Sequence, residues 1–451
     1  MMKKISFSFG ASLGKSNTTL AGLEAKYGAA ALDAQKWLAE TPSSTTGHGW
    51  MVLPDSKTAE IEETAKWLSG YDSVIQVGIG GSALGNLMLN QALLNGFYNE
   101  LTKGPKFYLA DNPDPDKTRS IWECAKGGSV ALVGVSKSGS TAETMTQFLW
   151  LREQLLNKGQ SDADILVITD PEKGIFRAFA KGSKCRVMEL PASVGGRFSV
   201  LCPAGLVTAA ALGINAAELL KGAAEMRKYL TEEKTFAANP ALKLAAVHMV
   251  HGKEGRPMSV LMPYSSRMAY FAEWYAQLWA ESLGKKGLGT TPVRALGAID
   301  QHSQVQLYTE GPDDKFFTLI CFKDHGPEVN VPKITHEALA PLSYLDGQGI
   351  GAMLNLEAKS TAAAIVKSGH PLFWIDVEDI SEETIGALVF FFEYVTALTG
   401  HMMGINPFDQ PGVEQGKKYT YGLMGRDGFA KDAEEVNEWF TKISAEKLEV
   451  K

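Results

Sequence analysis

An apolar run, Val130-Ala131-Leu132-Val133-Gly134-Val135, predicts a strand buried on both faces. It enters Ser136-Lys137-Ser138-Gly139-Ser140-Thr141-Ala142-Glu143-Thr144. Beyond that stretch Met145, Phe148, Leu149, Arg152, Leu155 and Leu156 recur at helical spacing, and Gly159 is a stop signal. Further strands are predicted at Ser73–Val77, Lys106–Ala110, Ile165–Thr169 and Val187–Leu190, with helical segments between most of them. Such alternation implies a mostly parallel sheet covered by helices on both faces. A second alternating region runs from a strand at Met258–Met262 through a hydroxyl-bearing turn, Tyr264-Ser265-Ser266, into a helix at 268–283. Strands at Phe316–Phe322 and Leu372–Val377 and helices at 355–368 and 383–399 complete it, a faint echo of the first region.

The flanks read as helical. Residues 17–40 and 57–69 predict helices, the first capped within Asn17-Thr18-Thr19 and carrying Leu20, Leu23 and Tyr27 on one side. Trp50–Pro54 interrupts them. An apolar helix is expected at 204–212, and 214–254 is mostly helical. Val436, Trp439, Phe440 and Ile443 mark an amphipathic C-terminal helix. The expected organisation is an N-terminal helical segment (1–65), α/β domains at 66–215 and 216–400, and a C-terminal loop and helical arm (401–451).

Composition narrows the class. The chain has 451 residues, 45% hydrophobic and 21% charged, an ordinary globular balance. A net charge of −7 with no long run of one sign argues against nucleic acid as the main partner. Met1-Met2-Lys3-Lys4 would suit a signal peptide, but Ser and Gly break the apolar stretch behind it. Ile5, Phe7 and Phe9 alternate as in a short half-buried strand. The most apolar segment, Ile385–Leu398, carries Glu393 and reads as a buried helix too short to cross a bilayer. Cys124, Cys185, Cys202 and Cys321 lack metal-type spacing and read as buried thiols in a reducing compartment. A soluble cytoplasmic protein is expected.

Candidate chemistry sits in the loops. The 136–144 stretch places five hydroxyls, a lysine and a glycine between a strand and a helix N-terminus, where unpaired N–H groups and the helix dipole favour an anion. It fits either a phosphate site or an ordinary Ser/Thr cap. Gly78-Ile79-Gly80-Gly81-Ser82-Ala83-Leu84-Gly85 follows the 73–77 strand, with Ser82 at a helix start. Its last glycine falls too late for a dinucleotide fingerprint. Gly195-Gly196-Arg197-Phe198-Ser199 reads on its own as a turn beside a surface arginine. Glu273, Gln277 and Glu281 are four apart and share one helix face, flanked by Trp274 and Leu278. Glu281 is either a general base or a solvated glutamate. His302, in Asp300-Gln301-His302-Ser303-Gln304, is one of eight histidines and suits proton transfer or a structural role. His248 and His251 read as structural, so no metal is assigned. In Asn406–Lys418, the two prolines and Gly412 predict an ordered loop leading into a helix that presents Lys417.

In combination and order, five motifs closely resemble the phosphoglucose isomerase family in its shorter bacterial form. They are Val77–Ser82, Ser136–Thr144, Gly195–Ser199, Glu281-Ser282-Leu283-Gly284-Lys285 and Asn406–Lys417, with Asp300-Gln301-His302 between the last two. The 136–144 loop alone would indicate only a sugar-isomerase (SIS) domain. The resemblance implies two SIS-type three-layer αβα sandwiches with mostly parallel sheets, plus the C-terminal arm. It implies a homodimer with active sites shared between subunits, acting on a small-molecule sugar phosphate without nucleic acid or membrane. Ser136, Ser138, Thr141 and Thr144 would hold the phosphate with Lys137 nearby, and Gly81, Ser82, Gly196, Gln277 and Gln410 would line the sugar. Glu281 would move a proton between C2 and C1. His302, supplied by the neighbouring subunit, and Lys417 would open the ring, and Arg197 would sit beside the enediolate. The implied reaction interconverts glucose 6-phosphate and fructose 6-phosphate, in glycolysis and gluconeogenesis, and needs no cofactor. The competing readings are another SIS phosphosugar isomerase, for mannose or amino sugars, and a sugar-phosphate-binding regulator with a dead site. A regulator need not keep Glu281, His302, Arg197 and Lys417 together.

Overall fold

The computed structural model describes residues 5–449. The Met1–Lys4 stretch considered above as a leader lies outside them. The chain divides into two compact units, Met1–Phe408 and Asp409–Lys451.

Two five-stranded sheets organise the first unit. The strands are β1 (Ile5–Ser8), β2 (Ser73–Val77), β3 (Lys106–Ala110), β4 (Val130–Val135), β5 (Ile165–Thr169), β6 (Arg186–Glu189), β7 (Met258–Pro263), β8 (Thr291–Arg294), β9 (Lys315–Phe322) and β10 (Leu372–Val377). One sheet has the order β3-β2-β4-β5-β6 and is parallel throughout. The other has the order β1-β10-β9-β7-β8, parallel except for β1, which pairs antiparallel to β10. Strands β2, β4 and β5 are buried at every residue, as their mostly apolar sequences require, and β2 buries the polar Ser73 and Gln76 as well.

Strand β2 pairs with β3 on one side and β4 on the other, with Val77 opposite both Ala110 and Gly134. The connections leaving these strands diverge, which opens a crevice at their carboxyl ends. The Gly78–Ser82 turn and the 136–141 loop flank that crevice. Strands β7, β8 and β9 repeat the arrangement in the second sheet.

The core lies between the sheets' helical layers. The helices Ala216–Glu232, Pro240–Lys253 and Glu382–Met402 pack there, and the last is buried from Glu383 to Gly400. At 21 residues it is longer than its apolar run indicated, and its length and composition would suffice to cross a bilayer. Its most apolar window is 89% buried in the protein, so it is a core helix.

Several expectations are corrected. On the helix Ala142–Asn157, Leu149 and Leu156 are exposed and Leu151 faces the core instead. Apolar residues surround that helix nearly all the way, so periodicity does not select its buried side. Thr19 caps the Leu20–Glu40 helix by accepting from Gly22 N, but Leu20 itself is exposed. Of the cysteines only Cys202 and Cys321 are buried; Cys185 is intermediate and Cys124 exposed. His248 and His251 sit in the core against Phe316, and the latter's Nε2 lies 2.7 Å from Ser12 O. Burial pushes them down to about 3 and about 4, respectively.

The second unit is a helical hairpin. Helices Glu414–Leu423 and Ala430–Ile443 pack through Tyr421 and Phe429, and Tyr419 Oη donates to Glu435 at 2.7 Å. Trp439, Phe440 and Ile443 are exposed on it.

Candidate active site

Three chain segments meet beside the β2–β4 crevice. The first is the Gly78–Ser82 turn, whose end Gln76 fixes by donating Nε2 to Ser82 O at 3.0 Å. The second is Gly195–Ser199. They touch through bare backbone: a Cβ on Gly81 would lie 2.2 Å from the carbonyl carbon and oxygen of Gly196. No other residue fits at 81 without separating the segments. The Ser199 hydroxyl reaches both, 2.6 Å from Gly196 O and 3.2 Å from Gly81 O.

The third segment is the end of the helix Ala269–Leu283. Arg197 is buried, with a side chain only 2% exposed, which corrects its reading as a surface arginine. Its Nε donates to Ser282 Oγ at 2.7 Å, its Nη1 to Glu281 Oε2 at 3.1 Å and its Nη2 to Pro407 O at 2.6 Å. Gln277 Nε2 donates to Glu281 Oε1 at 2.8 Å. Each carboxylate oxygen of Glu281 is thus anchored once, while the side chain remains 29% exposed. A carboxylate so held keeps lone pairs free toward the open side. Gln277 Oε1 is buried and has no protein partner. Glu273 turns away from this group and pairs with Arg294, although spacing put it on the same face.

Sequence reading missed two parts of this cluster, Ser282 Oγ and the Pro407 carbonyl. Ser282 lies within a quoted motif, but one residue beyond Glu281 it turns to the buried side of the helix. Pro407 is 210 residues from Arg197, and local pattern holds no signal for it.

The hydroxyl-rich loop is built on β4 and β5. Ser136 N donates to Ile168 O at 3.1 Å, and Ser136 Oγ, itself buried, accepts from Gly139 N at 3.0 Å. Ser140 Oγ donates to Ser138 Oγ at 2.9 Å. Thr141 is the N-cap of Ala142–Asn157 from extended backbone, with no hydrogen bond from its side chain to that cap. Thr144 is buried one turn in. The loop therefore offers a helix N-terminus not closed by its own cap residue. Lys137 Nζ donates to Ala192 O at 2.6 Å and Val194 O at 3.0 Å, and burial holds its ammonium below the usual lysine range, opposed by Asp170.

The remaining candidates belong to other elements. His302 is exposed on a short helix, Ile299–Ser303, beyond β8. Gln410 and Lys417 belong to the second unit, where Lys417 Nζ pairs with Glu414 Oε1 at 2.8 Å on the helix Glu414–Leu423.

Known proteins resemble the chain over most of its length. The family model described as phosphoglucose isomerase matches residues 63–297 and 357–432. A glucose-6-phosphate isomerase of Carboxydothermus hydrogenoformans is 42% identical over 399 residues, covering 85% of this chain and 86% of that protein. One of Rubrobacter xylanophilus is 41% identical, covering 84% and 90%. Among solved structures, a hypothetical protein from Thermus thermophilus superposes with a TM-score of 0.84 at 31% identity, covering 94% of this chain and all of that one. A glucose-6-phosphate isomerase from Chlamydia trachomatis gives 0.78 at 22% identity, covering 97% and 92%, a likeness of fold. The β3-β2-β4-β5-β6 sheet, the Gly81–Gly196 contact and the Glu281 cluster lie within the residues the family model matches, and the chain belongs to the phosphoglucose isomerase family.

Proposed function

We propose that the chain is a glucose-6-phosphate isomerase, an aldose–ketose isomerase interconverting glucose 6-phosphate and fructose 6-phosphate. Its relatives over 40% identical carry that name. The observation that carries the site assignment is Glu281, held on one oxygen by Gln277 and on the other by buried Arg197.

Isomerisation needs a base that takes a proton from C2 and returns it to C1. A partly exposed carboxylate fixed at both oxygens suits that, because its orientation persists through both transfers. Negative charge grows on the enediolate oxygen, and a guanidinium already fixed by three acceptors can stabilise it without reorganising. The 136–144 loop supports phosphate binding through Ser136, Ser138, Thr141 and Thr144. Phosphate is remote from the reacting carbons, so its binding energy serves orientation. Gly81, Ser82, Gly196, Gln277 and Gln410 line the sugar in this reading, and His302 and Lys417 open the ring.

The same reading places His302 in a partner's site. The helix carrying it is joined to the Ile350–Lys367 helix by Thr361 Oγ1 donating to Gln301 Oε1 at 3.0 Å. Around them Ile299, Leu307, Ile350, Met353 and Leu356 are exposed. Exposed apolar side chains on these helices suit an interaction surface, and a second copy of the chain is its proposed occupant. The proposed boundary at 215/216 is supported by β6 ending at Glu189 and β7 beginning at Met258, although β1, within the proposed 1–65 segment, pairs with β10 of the second sheet.

A coupled assay on fructose 6-phosphate, comparing wild type with Glu281→Gln, tests the reading. Glucose 6-phosphate should form with wild type and fall by about 10²–10⁴-fold in the variant, the range for a lost general base. Phosphate binding should persist in both. A fully active variant would move the base elsewhere, and an inactive wild type that binds sugar phosphates would favour a regulator.

A further inference from the structure

A lysine inside a phosphate loop invites the reading that its ammonium grips the phosphate. In this chain the Lys137 ammonium is engaged by the protein itself, on Ala192 O and Val194 O. Charge-assisted bonds of this kind are among the stronger ones, and they offset the cost of half-burying the charge. The carbonyl between those two, Ser193 O, accepts from Gly47 N at 2.8 Å and Gly49 N at 3.1 Å. Residues 192–194 are thus gripped at three successive carbonyls. The base of the lysine is fixed as well, because Lys137 O accepts from Asp170 N and from the Thr169 hydroxyl, both at 3.3 Å.

The chain leaves Val194 directly into Gly195-Gly196-Arg197. Gly196 abuts Gly81, and Arg197 holds Glu281. The lysine therefore spans from the phosphate loop to the segment that aims the arginine. We propose that Lys137 is a positioning residue: its ammonium ties the 136–144 loop to Ala192–Val194, fixing the distance between bound phosphate and Arg197. In this arrangement the phosphate is held by hydroxyls and backbone N–H groups, and the Lys137 ammonium is not its ligand. The inference rests on the functional reading above, in which 136–144 binds phosphate and Arg197 faces the reacting carbons.

The test separates a tether from a ligand. Lys137→Met keeps the chain length and removes all donors. A tether predicts that kcat falls about tenfold or more, since small misplacements at a reacting centre cost that much. Binding of inorganic phosphate, measured by calorimetry, should change less than about threefold, because no phosphate contact is lost. Amide hydrogen exchange at Val194–Arg197 should accelerate. Phosphate affinity weakened about tenfold or more, or unchanged exchange at those amides, would overturn the proposal.

Reductive methylation of wild type gives a second reading that no folding defect can confuse. A tether stays slow to react with or without saturating inorganic phosphate, relative to exposed Lys181. A phosphate ligand reacts readily when free and is protected by phosphate, which would also overturn the proposal. Calorimetry, exchange and methylation need no turnover, so they remain readable even if fructose 6-phosphate is not a substrate.

Discussion

Glu393 shows what the fold imposes on a single residue. It is buried in the core helix, and neither carboxylate oxygen has a hydrogen-bond partner. Burial alone pushes its carboxyl well above the usual glutamate range, so the folded protein holds the proton to higher pH than the unfolded chain. The unfolded chain releases it near pH 4.3. Between that value and the raised folded one, the native state binds more protons than the unfolded state. Stability from this group is therefore whole at low pH and falls as pH rises, by at most about 1.4 kcal/mol per pH unit. Glu393→Gln removes the slope. Melting temperatures of wild type and variant should diverge in favour of the variant as pH rises from 4 to 8. Parallel curves would mean that Glu393 finds a partner or water in solution. The same scale sets how much of the site was legible. Glu281 and Gln277 were readable because four-residue spacing fixes a shared helix face. The burial of Arg197 was not, since it depends on Ser282 and Pro407, and only the family resemblance pointed to that residue.

At the scale of elements, the interior strands of the two mostly parallel sheets were largely legible, because their sequences are mostly apolar. Strand β8 was not: it has four residues, contains Pro292 and lies at a sheet edge, where few side chains need to be apolar. The echo between the two α/β regions is also seen in strand order, but their helix N-termini differ. On the second sheet, Glu328 fills the start of the Ile350–Lys367 helix, accepting from Gly351 N at 2.9 Å and Ala352 N at 3.2 Å. Those backbone bonds hold its carboxyl below the usual range. Thr141, the cap residue of the helix behind 136–141, makes no such bond, which supports the phosphate reading on the first sheet. Core helix packing makes a separate prediction. A Cβ at Gly386 would lie 1.9 Å from Leu219 O on the Ala216–Glu232 helix. Alanine would gain about 1 kcal/mol in helix propensity, but overpacking costs about 1–3 kcal/mol and a rigid carbonyl lies at the upper end. Gly386→Ala should therefore lower the melting temperature in calorimetry. A stabilised variant would show that these helices pack farther apart.

For the whole molecule the decisive question is where His302 acts. Its exposure, on a helix flanked by exposed Ile299 and Leu307, is what a residue lent to a neighbour would show. In a two-fold dimer, the site using Glu281 of one copy would use His302 of the other. Glu281→Gln and His302→Ala should each be nearly inactive alone. In a heterodimer of the two, one site collects both substitutions and the other collects neither. Unfolding and refolding an equal mixture gives about half heterodimers, each with one intact site, so about a quarter of wild-type activity should return. The recovery should vanish if the variants are refolded separately and mixed without exchange. If heterodimers form, confirmed by mass spectrometry of differently tagged copies, and activity stays at the level of the single variants, His302 acts within its own chain. In that case the exposed apolar face would need another occupant. Recovery would instead explain why a histidine suited to proton transfer stands on the protein's surface.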